Sequence, residues 1–200
     1  ISLTFTSLNA QKDNLNEKLL AYCQTLPSEF NQIPQDRKSD LDEIANFILS
    51  QQKEKNAINL VFVCTSNSRR SHMAQVWSQI ASVYFDIKNV STYSGGTEQT
   101  KVNINAITAL EKTGIQIHSN QQSDNPIWTA AIGNEINRLV LFSKKYTDST
   151  NPSKNFGAIM VCSEADQSCF YRYFRSKSFA RVHLFDRGFC RCVFRKCPRQ

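Results

Sequence analysis

Cys64, Arg70 and Ser71 are the residues of this chain whose types and spacing suit them to chemistry. They lie in "LVFVCTSNSRRSHMAQVW", residues 60–77, where an apolar run ends on the cysteine and five polar residues separate it from Arg70. A strand ending at Cys64 and a helix opening near Arg70 would frame a short loop beside a helix N-terminus. Unpaired backbone N–H groups and a partial positive charge collect there, and both favour an anion. The same field, with an arginine close by, lowers the pKa of a thiol and favours thiolate. Arg70 carries a planar fork suited to two-point contact with a tetrahedral oxyanion. The Ser71 hydroxyl can donate to the thiolate, and Asn67 can tie the loop backbone into a cradle.

The elements that must position these residues follow from apolar periodicity. "INLVFV" at 58–63 is expected to be a buried strand, and 70–85 a helix carrying Met73, Val76, Trp77, Ile80 and Ala81. "VSTYS" at 90–94 is expected as a second strand, 103–114 as a helix closed by Gly114, and 138–143 and 156–162 as further strands. Alternation of helices with continuous apolar strands implies an α/β fold: a doubly wound, four-stranded parallel sheet with helices on both faces. Ligands of such sheets bind beyond the carboxyl ends of the strands, where Cys64 and Cys162 both fall. Ahead of the sheet, 12–25 and a run starting at Ser39 or Asp40 are expected as helices. The second would be capped with help from Glu43 and striped by Leu41, Ile44, Ala45, Ile48 and Leu49. The expected organisation is a helical extension over 1–56, ending in a polar linker at 51–56, an α/β domain over 57–184, and a basic, cysteine-rich tail over 185–200.

Composition narrows the class. Two hundred residues suit one domain, and no apolar run is long enough for a membrane span. The net charge of +7 is local: residues 170–200 hold nine of the 24 basic residues and one acid, Asp186, so the remainder has 15 basic against 16 acidic. Basic residues confined to a tail make a poor case for nucleic acid. Seven cysteines without a visible secretory signal point to a reducing, cytoplasmic setting rather than a disulfide framework. Cys190, Cys192 and Cys197 follow no zinc spacing, so neither metal nor cofactor is expected. His72 is expected at the surface or as a cap, and His118 and His183 as structural. Glu164 and Asp166 are expected as solvated acids, and Cys23 as core.

The pattern Cys-x5-Arg-Ser between a strand and a helix resembles the low-molecular-weight tyrosine phosphatase superfamily, which includes the thioredoxin-coupled arsenate reductases. "YSGGTEQTKVNINAITALEKTGIQI" at 93–117 is similar to that superfamily's small-residue loop and following helix. "MVCSEADQSC" at 160–169 resembles the arsenate-reductase branch in its C-x6-C spacing. The resemblance covers residues 58–169. It implies that Cys64 is the nucleophile, that Thr65, Ser66, Asn67, Ser68, Arg69 and Ser71 form the oxyanion-binding loop, and that Arg70 stabilises the transition state. It further implies an arsenate relay. Arsenate forms an adduct on Cys64, Cys162 attacks to release arsenite, and Cys169 exchanges to leave a Cys162–Cys169 disulfide for a thioredoxin-like reductant. A core role for Cys162 and Cys169 stays open beside this. Phosphate-ester hydrolysis, as in a low-molecular-weight tyrosine phosphatase, is the alternative, and a non-catalytic oxyanion binder a second one. The superfamily's general acid sits in an Asp-Pro pair that this chain lacks; Asp186 is the acid in the corresponding region.

Overall fold

The computed structural model describes residues 14–119, 122–133, 138–168 and 180–183. Its centre is β1 (Ile58–Cys64), whose flanking strands both run parallel to it. β2 (Val90–Gly96) lies on one side and β6 (Gly157–Met160) on the other, and β6 pairs in parallel with β7 (Ala180–His183). From Leu60 to Cys64 every β1 side chain is buried, whichever face it occupies. A strand covered on both faces gains from uninterrupted Leu, Val and Phe, and "LVFV" supplies them.

Helix α3 (Arg70–Tyr84) returns from β1 to β2 and joins two cores. Ala74 belongs to the cluster around β1 and β6, which also holds Phe47, Ile159 and Met160. Val76, Trp77 and Ile80 belong to a second cluster with Ile107 and Leu110 of α4 (Ile104–Lys112).

That second cluster lies under a second sheet, which the periodicity did not announce. β3 (Gln116–His118), β4 (Trp128–Ala131) and β5 (Arg138–Leu141) form an antiparallel meander. The segment expected at 138–143 as a parallel strand is therefore corrected: it is the last strand of this sheet and stops at Leu141. Its burial alternates, with Leu141 buried and Val140 exposed, as expected of a sheet with one face in water.

The leading helices are shifted from their expected bounds. α1 (Glu17–Thr25) begins after Asn16, whose side chain accepts from the Leu19 N–H, a normal N-cap. Leu15, expected inside this helix, instead bridges to Gly133. Asn16 donates its backbone N–H to the Ile132 carbonyl and its side-chain N–H to the Gly114 carbonyl, at 3.1 and 2.9 Å. A Cβ on Gly133 would fall on the Asn14 carbonyl oxygen, so glycine permits this close approach. α2 (Gln35–Lys53) starts directly after Pro34, which is its N-cap in an extended conformation (φ -59°, ψ 150°), and not at Ser39 or Asp40. Asp40 pairs with Arg37 at 2.9 Å instead of capping, and the helix continues through the first half of the expected linker. Its anchor is Phe47, while Leu49 and Ala45 of the expected stripe are exposed. No helix among the described residues is long and apolar enough to cross a membrane.

Candidate active site

Cys64 is the last residue of β1 and Arg70 the first of α3, so Thr65–Arg69 form the connecting loop. Every carbonyl from Cys64 to Arg69 is occupied by a donor. Thr97 N–H donates to Cys64 O at 3.1 Å, Glu98 N–H to Thr65 O at 2.8 Å, and Asn103 N–H to Ser68 O at 2.9 Å. The Thr100 and Ser143 hydroxyls both donate to Ser66 O, at 2.8 and 3.1 Å. His72 holds Asn67 O at 2.9 Å, and Met73 N–H reaches Arg69 O at 3.0 Å within α3. A trans peptide sets its N–H opposite its carbonyl. These donors fix the orientation of each loop peptide beside the positive end of α3, where N–H groups favour an anion. Gly96 makes the approach possible, since a Cβ there would stand 2.6 Å from Thr65 O and 2.7 Å from Asn67 N.

Asn67 is the keystone of the loop. It is fully buried and adopts φ 41°, a left-handed conformation that Asn tolerates better than most residues. Its side-chain N–H donates to Ser71 Oγ at 2.8 Å, and its Oδ1 accepts from the Lys144 backbone N–H at 2.8 Å. Ser71 Oγ is 3.1 Å from Cys64 Sγ. With Asn67 donating to one lone pair, the Ser71 oxygen keeps a proton that it can turn toward the sulfur.

His72 corrects the expectation of a surface residue. It is completely buried, with Nε2 2.9 Å from Asn67 O and Nδ1 3.1 Å from the Ser94 hydroxyl. Burial pushes its pKa down to about 3, with the Lys144 charge adding and the Asn67 carbonyl opposing. The neutral ring therefore donates from Nε2 to the carbonyl and accepts at Nδ1 from Ser94. The sequence held a sign of this: His72 lies four residues before Val76 and eight before Ile80, on the inner stripe of α3.

Three contributors were not legible in the sequence. Asn125 clamps Ser143 from both sides, its Oδ1 accepting from Ser143 N–H at 3.1 Å and its Nδ2 donating to Ser143 O at 2.8 Å. Ser143 Oγ, besides donating to Ser66, accepts from Thr100 N–H at 2.8 Å. Lys144 is almost fully buried, with its ammonium 4.3 Å from the centre of the Phe142 ring. Burial pulls its pKa down to about 8, and Asp148 opposes the shift.

Cys162 follows the end of β6 and is wholly buried. Its sulfur is 3.5 Å from the Thr65 hydroxyl, which places a second thiol against the loop that carries the first. Exposed Glu164 is held below the usual carboxylate range, chiefly by its own backbone N–H, with Cys162 and Arg70 among the smaller contributors. Cys23 is a core thiol as expected, pushed up to about 11 by burial. Cys169, Asp186, Cys190, Cys192 and Cys197 lie outside the described residues, as do the side chains of Asp166 and His183.

A pocket of about 660 Å³ opens over the loop. Cys64, Ser66, Ser68, Arg69 and Arg70 line it on the loop side, and residues 100–104 and 123, 124 and 126 form the remaining wall. Thr65, Asn67 and Ser71 stand outside this lining, holding the loop's shape.

Strand, cysteine loop and helix together make a cysteine-based enzyme that acts on an oxyanion. No protein-family profile matches the chain. An arsenate reductase of Bacillus cereus (strain AH187) is 39% identical over 99 residues, which cover 50% of this chain and 68% of that protein. An arsenate reductase of Bacillus anthracis (strain CDC 684 / NRRL 3495) is 39% identical with the same coverage. Among solved structures, a YwlE mutant from Bacillus subtilis gives a TM-score of 0.38 at 20% identity, covering 62% of this chain and 70% of that one. A low-molecular-weight phosphotyrosine phosphatase from Vibrio cholerae O395 gives 0.37 at 16% identity, covering 62% and 69%. The chain belongs to the superfamily of low-molecular-weight tyrosine phosphatases and arsenate reductases.

Proposed function

We propose that this enzyme reduces arsenate to arsenite through a relay of Cys64, Cys162 and Cys169. The observation that carries the reading is the position of Cys162, whose sulfur lies 3.5 Å from Thr65 of the Cys64 loop. Ester hydrolysis needs one thiol, whereas a two-electron reduction needs a second one within reach. The naming of the matched relatives as arsenate reductases supports the same reading.

In this scheme the loop N–H groups and Arg70 bind the oxyanion as Cys64 thiolate attacks arsenic and an oxygen leaves as water. Cys162 thiolate then attacks the Cys64 sulfur. A sulfur–sulfur bond forms, the sulfur–arsenic bond breaks, and its electron pair leaves on arsenic as arsenite. Cys169 displaces Cys64 from Cys162, and a thioredoxin-like dithiol reduces the resulting Cys162–Cys169 disulfide. The scheme takes residues 57–184 as one doubly wound domain, which fits the burial of β1 on both faces.

A second reading, hydrolysis of phosphate esters at Cys64, is favoured by the pocket. A cavity of about 660 Å³ exceeds what a bare oxyanion fills, and it leaves room for an organic group beyond it. Cys162→Ser separates the two. In that variant arsenate turnover should disappear while aryl-phosphate turnover persists, and thiol mapping of the unsubstituted protein by mass spectrometry should show an arsenate-dependent Cys162–Cys169 disulfide that is lost in Cys64→Ser. Undiminished arsenate turnover in Cys162→Ser would reject the relay.

A further inference from the structure

We propose that Asp124 is the general acid of this site, protonating the oxygen that departs as Cys64 attacks. The assignment rests on the reading of the pocket as an oxyanion-transfer site. Displacement at phosphorus or arsenic expels an alkoxide, phenolate or hydroxide, all poor leaving groups until protonated. The loop from Thr65 to Ser71 holds no carboxyl or imidazole that could supply that proton. Among the described residues, Asp124 is the one carboxylate lining the pocket.

Placement and rigidity both fit the role. In an in-line displacement the leaving oxygen points away from the attacking sulfur. Cys64 is buried on the loop side of the pocket, while Asp124 stands exposed on the wall built by residues 123–126. A general acid also has to keep its place relative to the nucleophile. The neighbouring Asn125 is fastened by two bonds to Ser143, whose hydroxyl is fastened in turn to Ser66 of the loop. The carboxyl is thus one residue from a chain of hydrogen bonds ending on the anion cradle. This linkage spans elements 18 and 77 residues apart in sequence.

The step balances. On an aryl phosphate, a sulfur–phosphorus bond forms as the phosphorus–oxygen bond breaks, and the phenolate oxygen takes the Asp124 proton. Asp124, now carboxylate, accepts a proton from the water that attacks the phosphocysteine. Phosphate leaves, Cys64 returns to thiolate, and Asp124 is again protonated.

The test compares esters that differ only in their need for a proton, using the full chain and Asp124→Asn. For phenyl phosphate kcat should fall by at least about 100-fold, while for dinitrophenyl phosphate, whose leaving group departs unprotonated, it should fall by less than about fivefold. Equal losses on the two esters would make Asp124 a structural residue and overturn the assignment. Full activity of Asp124→Asn on both, with the leaving-group-dependent loss appearing in Asp186→Asn, would transfer the role to Asp186. Wild-type protein inert toward both esters and toward arsenate would overturn the functional reading, and this assignment with it.

Discussion

The parallel and antiparallel sheets meet at the active-site loop, but they are built in opposite ways. In the parallel sheet β1 is buried from Leu60 to Cys64, and its chemistry begins where its ladder ends. In the antiparallel sheet β5 exposes Val140 and Arg138 to water and carries no reactive group. Directly after β5, however, come Phe142, Ser143 and Lys144, and two of these hold Ser66 and Asn67. One sheet supplies the nucleophile, and the turn after the other adds to the fastening that Thr97, Glu98 and Thr100 already give the cradle. A reactive loop needs both, since its N–H groups must stay unsatisfied by protein if they are to bind an anion.

Substitutions in each region test this division of labour. The largest effect is expected on the fastening side of the loop itself. Asn67→Ala removes two side-chain hydrogen bonds, leaves the Lys144 N–H unpaired and keeps a φ that alanine resists. It should lower kcat by about 100-fold and cost about 3 kcal/mol in urea unfolding. Asn67→Gly relieves the backbone term alone, so about 1 kcal/mol of stability should return without the rate. Equal rates for Asn67→Gly and wild type would show that the side-chain bonds are dispensable.

Gly133→Ala strikes the antiparallel region far along the chain from the loop. The new Cβ has to push the Asn14–Leu15 segment aside, at an expected cost of about 2 kcal/mol in thermal or urea melts. kcat at a temperature where the protein stays folded should remain close to wild type. A parallel collapse of kcat would mean that the second sheet does more than hold the cradle.

The smallest effect concerns pH. His72 titrates near 6.5 when unfolded and near 3 when folded. Between those values the unfolded chain binds a proton that the folded chain refuses, so stability rises with pH across the window and falls on acidification below 6.5. His72→Asn should flatten that part of the stability curve, as measured by urea unfolding at a series of pH values.

What the sequence disclosed follows the same division. A central strand buried on both faces reads as an unbroken apolar run, so "INLVFV" was visible, and the polar loop with Arg70 stood out after it. The meander has strands of three and four residues, too short for alternation to register, and it stayed hidden. Asn125, Ser143 and Lys144 were hidden for another reason. Their roles depend on bonds across 18 and 77 residues, and nothing local distinguishes them from other loop residues. The polarity of His72 points to the surface, but its place on the inner stripe of α3 buries it against the Asn67 carbonyl and the Ser94 hydroxyl. Asp40 and Glu43 have the spacing of a capping box, yet the helix begins one turn earlier, after Pro34, and Asp40 pairs with Arg37.

The occupied carbonyls of the loop have a consequence for observing the site without substrate. The amides of Thr97, Glu98, Asn103 and Lys144 are all engaged by atoms of Cys64 to Ser68. They should exchange with solvent deuterium only when the cradle opens, although all four lie outside any helix or strand. Their exchange rates would report the cradle's integrity directly, and an oxyanion that binds the loop should slow all four together.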